Sequence, residues 1–204
     1  MRDDDLRRAI RLSLLNIAWS AAIGGIAVSV ALGSGALSLL GFGVNSLIDA
    51  TASAAIAWRF TVEGRRPALA ERVERLAERI VGAALVALAL YLAYGSLRAF
   101  ATGDHPRPEL VGVVLLVVSL AVQPMLAIAK YRVAMRLGSG AFRADALLTG
   151  IGGALAAISL AGIALATIAG IYWGDAAAAT IVALVALREG LVSLDLGRRR
   201  PTGG

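Results

Sequence analysis

The chain has 204 residues, of which 58% are hydrophobic and 17% are charged, and its mean hydropathy is +0.77. This balance lies well outside that of an ordinary soluble domain and indicates an integral membrane protein. Cysteine is absent and His105 is the single histidine, which excludes disulfides, thiolate metal sites and a multi-histidine site within one chain.

Six apolar segments are each long enough to cross a bilayer as a helix, which takes roughly 20 residues. They cover residues 9–32, 36–58, 80–100, 110–129, 141–168 and 171–194. The first segment follows MRDDDLRR without a clear cleavage site, so we expect no cleavable signal peptide. Between the last two segments, Gly170 and the pair Tyr172 and Trp173 predict a tight turn at the membrane surface.

The basic residues are distributed asymmetrically between the two faces of this predicted bundle. The amino terminus, the second and fourth connections and the tail hold 18 of the 20 Lys and Arg residues, with Lys130 counted in the fourth connection. The other face keeps only Arg98 and Arg107. The positive-inside rule then places both termini in the cytoplasm, and the same asymmetry explains the net charge of +6 without a nucleic-acid partner.

These features predict an all-α, polytopic protein of the cell membrane. We expect residues 1–204 to form a single transmembrane domain embedded over about 9–194, with residues 195–204 as a short basic tail and no cytoplasmic metal-binding domain. From residue 68 onward the second connection has no helix breaker, so it is predicted to extend the third helix into the cytoplasm. His105 lies in the turn TGDHPRPEL and is expected to be exposed, with metal capture as the less favoured role.

Two carboxylates, Asp49 and Asp145, lie well inside apolar sequence. A charged side chain there costs roughly 2.5 to 3.5 kcal/mol on insertion scales and normally faces a partner, the bundle interior or a water-filled path. No basic residue lies within a helical turn of Asp49. Asn45 and Asp49 are one turn apart, as are Asp145 and Thr149, so each pair shares a helix face.

If the two faces meet, these four residues predict a cluster of oxygen ligands whose two carboxylates balance a divalent cation. The alternative is that Asn45, Asp145 and Thr149 hydrogen-bond across packed helices while Asp49 is protonated, which is common in membrane bundles. Spacing leaves both open. HExxH, GxSxG and GxxxxGKS motifs are absent, so we predict no enzyme activity and no resident cofactor.

NSLID in the second segment, RADALLTGIGG opening the fifth and WGDAAAATIVALVALREG forming the sixth together resemble the cation diffusion facilitators. The resemblance covers the chain from about residue 12 to residue 194 and matches a shorter subgroup that lacks the cytoplasmic domain. It implies a homodimeric exporter that exchanges divalent metal ions such as Zn, Mn, Co or Fe for protons by alternating access, using the carboxylates of the second and fifth helices. The partners it implies are the lipid bilayer, the metal ion, protons and a second copy.

In that family two acidic residues on the second helix, and a histidine and an aspartate on the fifth, hold the metal. The corresponding positions here are Asn45 and Asp49, then Leu148 and Gly152. Oxygen ligands alone favour harder ions than zinc. Two alternatives remain: a membrane interaction or scaffold protein that keeps the fold with a decayed metal site, and an exporter of small organic cations with Asp49 as counter-charge.

Overall fold

A computed structural model shows six long α-helices. It describes the backbone of residues 2–62, 67–103, 109–168, 170–171 and 173–199, and no strand occurs within these ranges. The helices are α1 (Arg2–Ser34), α2 (Leu37–Val62), α3 (Pro67–Thr102), α4 (Leu110–Leu137), α5 (Gly140–Thr167) and α6 (Gly174–Arg199). Each of the six contains a segment long and apolar enough to cross a membrane. The predicted all-helical, six-span membrane architecture is confirmed.

The helix ends follow local sequence signals. Gly138 ends α4 in the left-handed conformation with φ of 63°, and Ser139 then caps α5 by accepting the Phe142 backbone N–H at 3.3 Å. Gly170, with φ of 64°, lies in the turn between α5 and α6 as predicted, whereas Tyr172 lies outside the described residues. Helix α3 begins at Pro67, which confirms the predicted extension of the third helix.

Helix α4 differs from its predicted bounds in a way that matters for the site. The fourth apolar segment was predicted to end at residue 129, but the helix continues to Leu137. Its buried face repeats at helical spacing through Leu116, Ser119, Gln123 and Lys130. Lys130 is therefore inside the bundle, and its assignment to a cytoplasmic connection was wrong.

Two sets of helices build the bundle: α1, α2, α4 and α5 surround a polar core, and α3 packs mainly on α6. Small residues allow the closest approaches, since a Cβ on Gly82 of α3 would lie 2.9 Å from the carbonyl oxygen of Gly190 on α6. Large apolar side chains such as Leu97 and Leu110 remain exposed on the outside, as expected of a lipid-facing surface. We call the end where α1, α3 and α5 begin the arginine-rich end; its cytoplasmic orientation stays a prediction.

Helices α2 and α5 run antiparallel in a constant register that sets the geometry of the core. Ser53 contacts Asp145, with 2.8 Å between Oγ and Oδ1, and Asp49 contacts Thr149 one turn further along. Near the opposite end, the Ser159 hydroxyl donates to the carbonyl oxygen of Ser38 at 3.0 Å. Each step of four residues back along α2 is thus matched by a step of four forward along α5.

Candidate functional site

Asp49 lies in the core of the four-helix set and is bound by neutral groups from two other helices. Asn16 Nδ2 donates to Asp49 Oδ2 at 2.7 Å, and the Ser20 hydroxyl donates to the same oxygen at 2.9 Å. The Thr149 hydroxyl donates to Oδ1 at 3.0 Å. Within the described part of the chain, Asp49 has no ion-pair partner. It is a buried carboxylate held by hydrogen bonds from α1 and α5.

Asp145 carries the ion pair of the core. The Lys130 ammonium lies 2.6 Å from Asp145 Oδ2, and the side chain of Lys130 is 0% exposed. The Ser53 hydroxyl donates to Asp145 Oδ1 at 2.8 Å. Lys130 Nζ also donates to Ser53 Oγ at 3.0 Å and to Thr149 Oγ1 at 2.8 Å. The ammonium therefore has one ion pair and two hydrogen bonds, which compensate for the burial of its charge.

Ser53 joins the two carboxylates into one network. Its hydroxyl accepts from Asn16 Nδ2 at 2.9 Å and from Lys130 Nζ, and donates to Asp145. These bonds use its single donor and both lone pairs. Asn16, which also donates to Asp49, connects the two halves from α1. We call this network the ionic core: Asn16, Ser20, Asp49, Ser53, Lys130, Asp145 and Thr149.

The charge of the ionic core differs from the value expected from the sequence. Two ionised carboxylates were predicted to balance a divalent cation, but Lys130 contributes a positive charge from α4 and leaves a formal charge of −1. The prediction considered only basic residues within a turn of Asp49, whereas the neutralising ammonium comes from another helix. Its sequence signal was the polar series Ser119, Gln123 and Lys130 on one face of an otherwise apolar helix.

Of the four residues predicted to bind metal, the structure brings three into the ionic core: Asp49, Asp145 and Thr149. Asn45 is also buried, on the same face of α2, but it makes no hydrogen bond to this network and its Nδ2 has no partner among the described residues. Asn16, Ser20, Ser53 and Lys130 were missed. The spacing of Ser13, Asn16 and Ser20 marks a polar face on α1 that could have identified two of them.

Leu148 and Gly152, the two other positions implied by the resemblance, have separate surroundings. Leu148 lines a cavity of about 300 Å³ between α2 and α5 on one side and α3 and α6 on the other. Asp145 and Glu189 are its acidic residues, and the walls are otherwise mostly Ala, Ile, Leu and Val. A Cβ on Gly152 would overlap the side-chain oxygen of Gln123. Neither position supplies a ligand, but the cavity lies directly beside Asp145 of the ionic core, toward the arginine-rich end.

A third buried carboxylate, Asp175, lies at the other end of the bundle. Its Oδ2 accepts the Leu37 backbone N–H at 2.9 Å, and its Oδ1 accepts the Ser38 backbone N–H at 3.3 Å and the Ser38 hydroxyl. A carboxylate at a helix amino terminus satisfies free N–H groups and interacts favourably with the helix dipole. Asp175 therefore ties α6 to the start of α2.

The described residues contain no group of three or more His, Cys, Asp or Glu side chains able to hold a metal ion. His105 lies outside them. A cation in the ionic core would instead be bound by two carboxylates together with hydroxyl and amide oxygens. This donor set suits hard ions better than zinc.

Comparison with known proteins gives one family. Residues 10–194 match the model of the cation efflux transmembrane domain, a range that begins within α1 and ends within α6. The chain matches no curated protein significantly.

Proposed function

We propose that the transported cation passes through the ionic core, since the chain belongs to the cation efflux family. Membership of that family supports a multi-pass membrane transporter of cations rather than an enzyme. More specifically, we propose that this cation is a divalent metal ion, which Asp49 and Asp145 bind and which is exchanged for protons. The observation that supports it is the hydroxyl of Thr149, which donates to Asp49 and accepts from the Lys130 ammonium that pairs with Asp145. The carboxylates of α2 and α5 thus belong to one oxygen-rich cluster.

In this proposal the Lys130 ammonium takes the place of the cation when none is bound. It already lies 2.6 Å from Asp145, so a divalent ion that binds both carboxylates must displace it. A lysine near the end of a membrane helix can extend its flexible stem toward the interface. Displacement toward the arginine-rich end leaves two negative charges for the ion, whereas return of the ammonium favours its release.

Access from the arginine-rich end follows the cavity beside Asp145. The cavity reaches from Asp145 and Ile151 to Val192 and Ser193, between the four-helix set and the α3–α6 pair. Relative movement of these two sets is the proposed alternating-access step. We further propose that the protein works as a homodimer.

The test is metal flux into proteoliposomes under an imposed pH gradient, with Zn, Mn, Co, Fe and Cd ions each tried. Wild type is compared with Asp49→Asn and Asp145→Asn, and Asp175→Asn serves as a control that alters a buried carboxylate outside the ionic core. We expect both core variants to reduce flux at least about tenfold, corresponding to roughly 1.4 kcal/mol or more. Wild-type inactivity toward every ion, or unchanged flux in both core variants, contradicts the proposal.

A second candidate is a non-transporting protein that retains the fold. The observation that favours it is the Lys130 ammonium, which neutralises Asp145 with a charge from the chain itself and is held by Ser53 and Thr149. A Lys130→Met variant separates the candidates. If wild type neither binds nor moves metal ions but Lys130→Met binds them, the lysine blocks the site and the second candidate is correct.

A further inference from the structure

Two buried amide side chains, Asn45 and Gln123, lie one turn outside the ionic core on the side away from the arginine-rich end. Asn45 is 2% exposed and Gln123 is 1% exposed. Asn45 Nδ2 and Gln123 Oε1 have no hydrogen-bond partner in the described part of the chain. An unsatisfied buried polar atom costs about 1 to 3 kcal/mol, so two of them at one level of a membrane bundle require a reason.

The register of α2 and α5 places the two amides at the same depth. Asp49 contacts Thr149, and one further turn brings Asn45 of α2 opposite residues 152–153 of α5. At that point α5 carries two glycines. The space beside Gly152 is filled by Gln123 from α4, whose Oε1 would overlap a Cβ there. Gly153 is packed against Pro124, the residue after Gln123, so α4 approaches α5 closely at this level.

We propose that Gln123 is a ligand of the transported cation and forms, with Asn45 and Asp49, a second binding position one turn outside the Lys130–Asp145 pair. Gln123 Oε1 lies beside Gly152, at the level of Asn45, and Asn45 is one turn from Asp49 on the same face of α2. Rotation of the Asn45 amide by about 180° exchanges its unpartnered Nδ2 for the Oδ1 that a cation needs. The inference rests on the proposed function, because it identifies where the same cation lies on its way through the bundle.

The outer position differs from the ionic core in what the cation must displace. An ion at Asp49, Asn45 and Gln123 can bind while Lys130 remains paired with Asp145. Its ligands are one carboxylate and two amide carbonyl oxygens, a set suited to hard cations such as Mn²⁺. An ion that moves from the ionic core to this outer position therefore lets the ammonium return to Asp145.

Binding of Mn²⁺ alone to the purified protein in lipid nanodiscs tests this assignment, with free Mn²⁺ measured by its electron paramagnetic resonance signal. Gln123→Met keeps the length of the side chain but removes the oxygen, and we expect it to weaken Mn²⁺ binding about tenfold. Gln123→Glu adds a carboxylate at the same place, and we expect it to bind Mn²⁺ more tightly than wild type. Gly152→Ala leaves the glutamine in the chain but pushes its oxygen aside, and should resemble Gln123→Met.

Ser96→Ala is the matched control, because Ser96 on α3 is also buried with an unpartnered oxygen. It should leave Mn²⁺ affinity unchanged. A purely structural Gln123 would shift the unfolding temperature of its variants without changing their Mn²⁺ affinity, and that result overturns the assignment. So does a wild type that binds no Mn²⁺. If Mn²⁺ binding depends on Gln123 but no ion is transported, the ligand assignment stands and the proposed function fails. If metal ions are transported and Gln123→Met binds Mn²⁺ as tightly as wild type does, the proposed function stands and the ligand assignment fails.

Discussion

Asp145 and Asp175 are both buried carboxylates, 4% and 1% exposed, but they are neutralised in different ways. Asp175 is bound by two backbone N–H groups at the start of α2 and by the Ser38 hydroxyl. Asp145 is bound by side chains only, the Lys130 ammonium and the Ser53 hydroxyl. Burial alone therefore does not distinguish the structural carboxylate of Asp175 from Asp145, which is proposed as part of a transport site.

The difference lies in whether the donors can leave. Backbone N–H groups at a helix terminus are fixed by the helix, so Asp175 cannot lose them unless α2 unwinds or α6 moves away. The lysine ammonium and the serine hydroxyl that hold Asp145 move by rotation about side-chain bonds. A cation can replace the second kind of donor but not the first. The predictions below test this distinction between the two carboxylates.

The largest effect is expected from breaking the ion pair. Lys130→Met or Asp145→Asn leaves the partner as an unpaired charge in the core, and each should lower the free energy of unfolding by about 3 to 5 kcal/mol. The double variant should cost clearly less than the sum, since no unpaired charge remains at this pair. Denaturant unfolding in a mild detergent measures all four proteins.

Addition of Mn²⁺ provides a second test of the ion pair. Lys130→Met leaves Asp49 and Asp145 without the ammonium, so added Mn²⁺ should raise its unfolding temperature more than that of wild type. Asp145→Asn should not show this gain. For the ion pair itself, the contradicting result is a double variant whose loss of unfolding free energy equals the sum of the two single losses, because Lys130 and Asp145 would then not act as a pair.

An intermediate effect is expected at the other carboxylate. Asp175→Ala leaves the Leu37 and Ser38 backbone N–H groups without their acceptor and should lower the free energy of unfolding by about 2 kcal/mol. Flux per folded molecule should remain close to the wild-type value, because Asp175 is outside the ionic core. A loss of flux in fully folded Asp175→Ala protein would contradict the structural role.

The fold was largely predictable because membrane insertion imposes a strong length requirement on apolar sequence. The six apolar runs became six helices, and the turn at Gly170 followed from its sequence. The end of α4 was missed since a hydropathy run stops at the first charge, whereas the helix continues through Lys130 to Leu137. A charge at the edge of an apolar run can belong to either environment, and only its helix face resolves which.

The site was predictable where it depends on spacing within a helix. The i, i+4 pattern placed Asn45 with Asp49, and Asp145 with Thr149, on shared helix faces but left open whether the two faces meet. In the structure Thr149 contacts Asp49, and Asp145 belongs to the same network. It could not show that Lys130 would enter from α4, because pairing between distant helices depends on their relative rotation. The metal-binding role of Asp49, Asp145, Asn45 and Thr149 stays a proposal.

The smallest predicted effect compares the hydroxyl beside each carboxylate. Ser53→Ala removes one donor to Asp145 and one acceptor each for Lys130 and Asn16, and should lower the free energy of unfolding by about 1 to 2 kcal/mol. Ser38→Ala removes one of three donors to Asp175, but both backbone N–H groups remain, so its cost should stay below about 1 kcal/mol. Both are measured by denaturant unfolding in the same detergent. If the two variants lose the same free energy of unfolding, Asp145 depends on its serine hydroxyl no more than Asp175 does. The distinction between the two carboxylates would then rest on Lys130 alone.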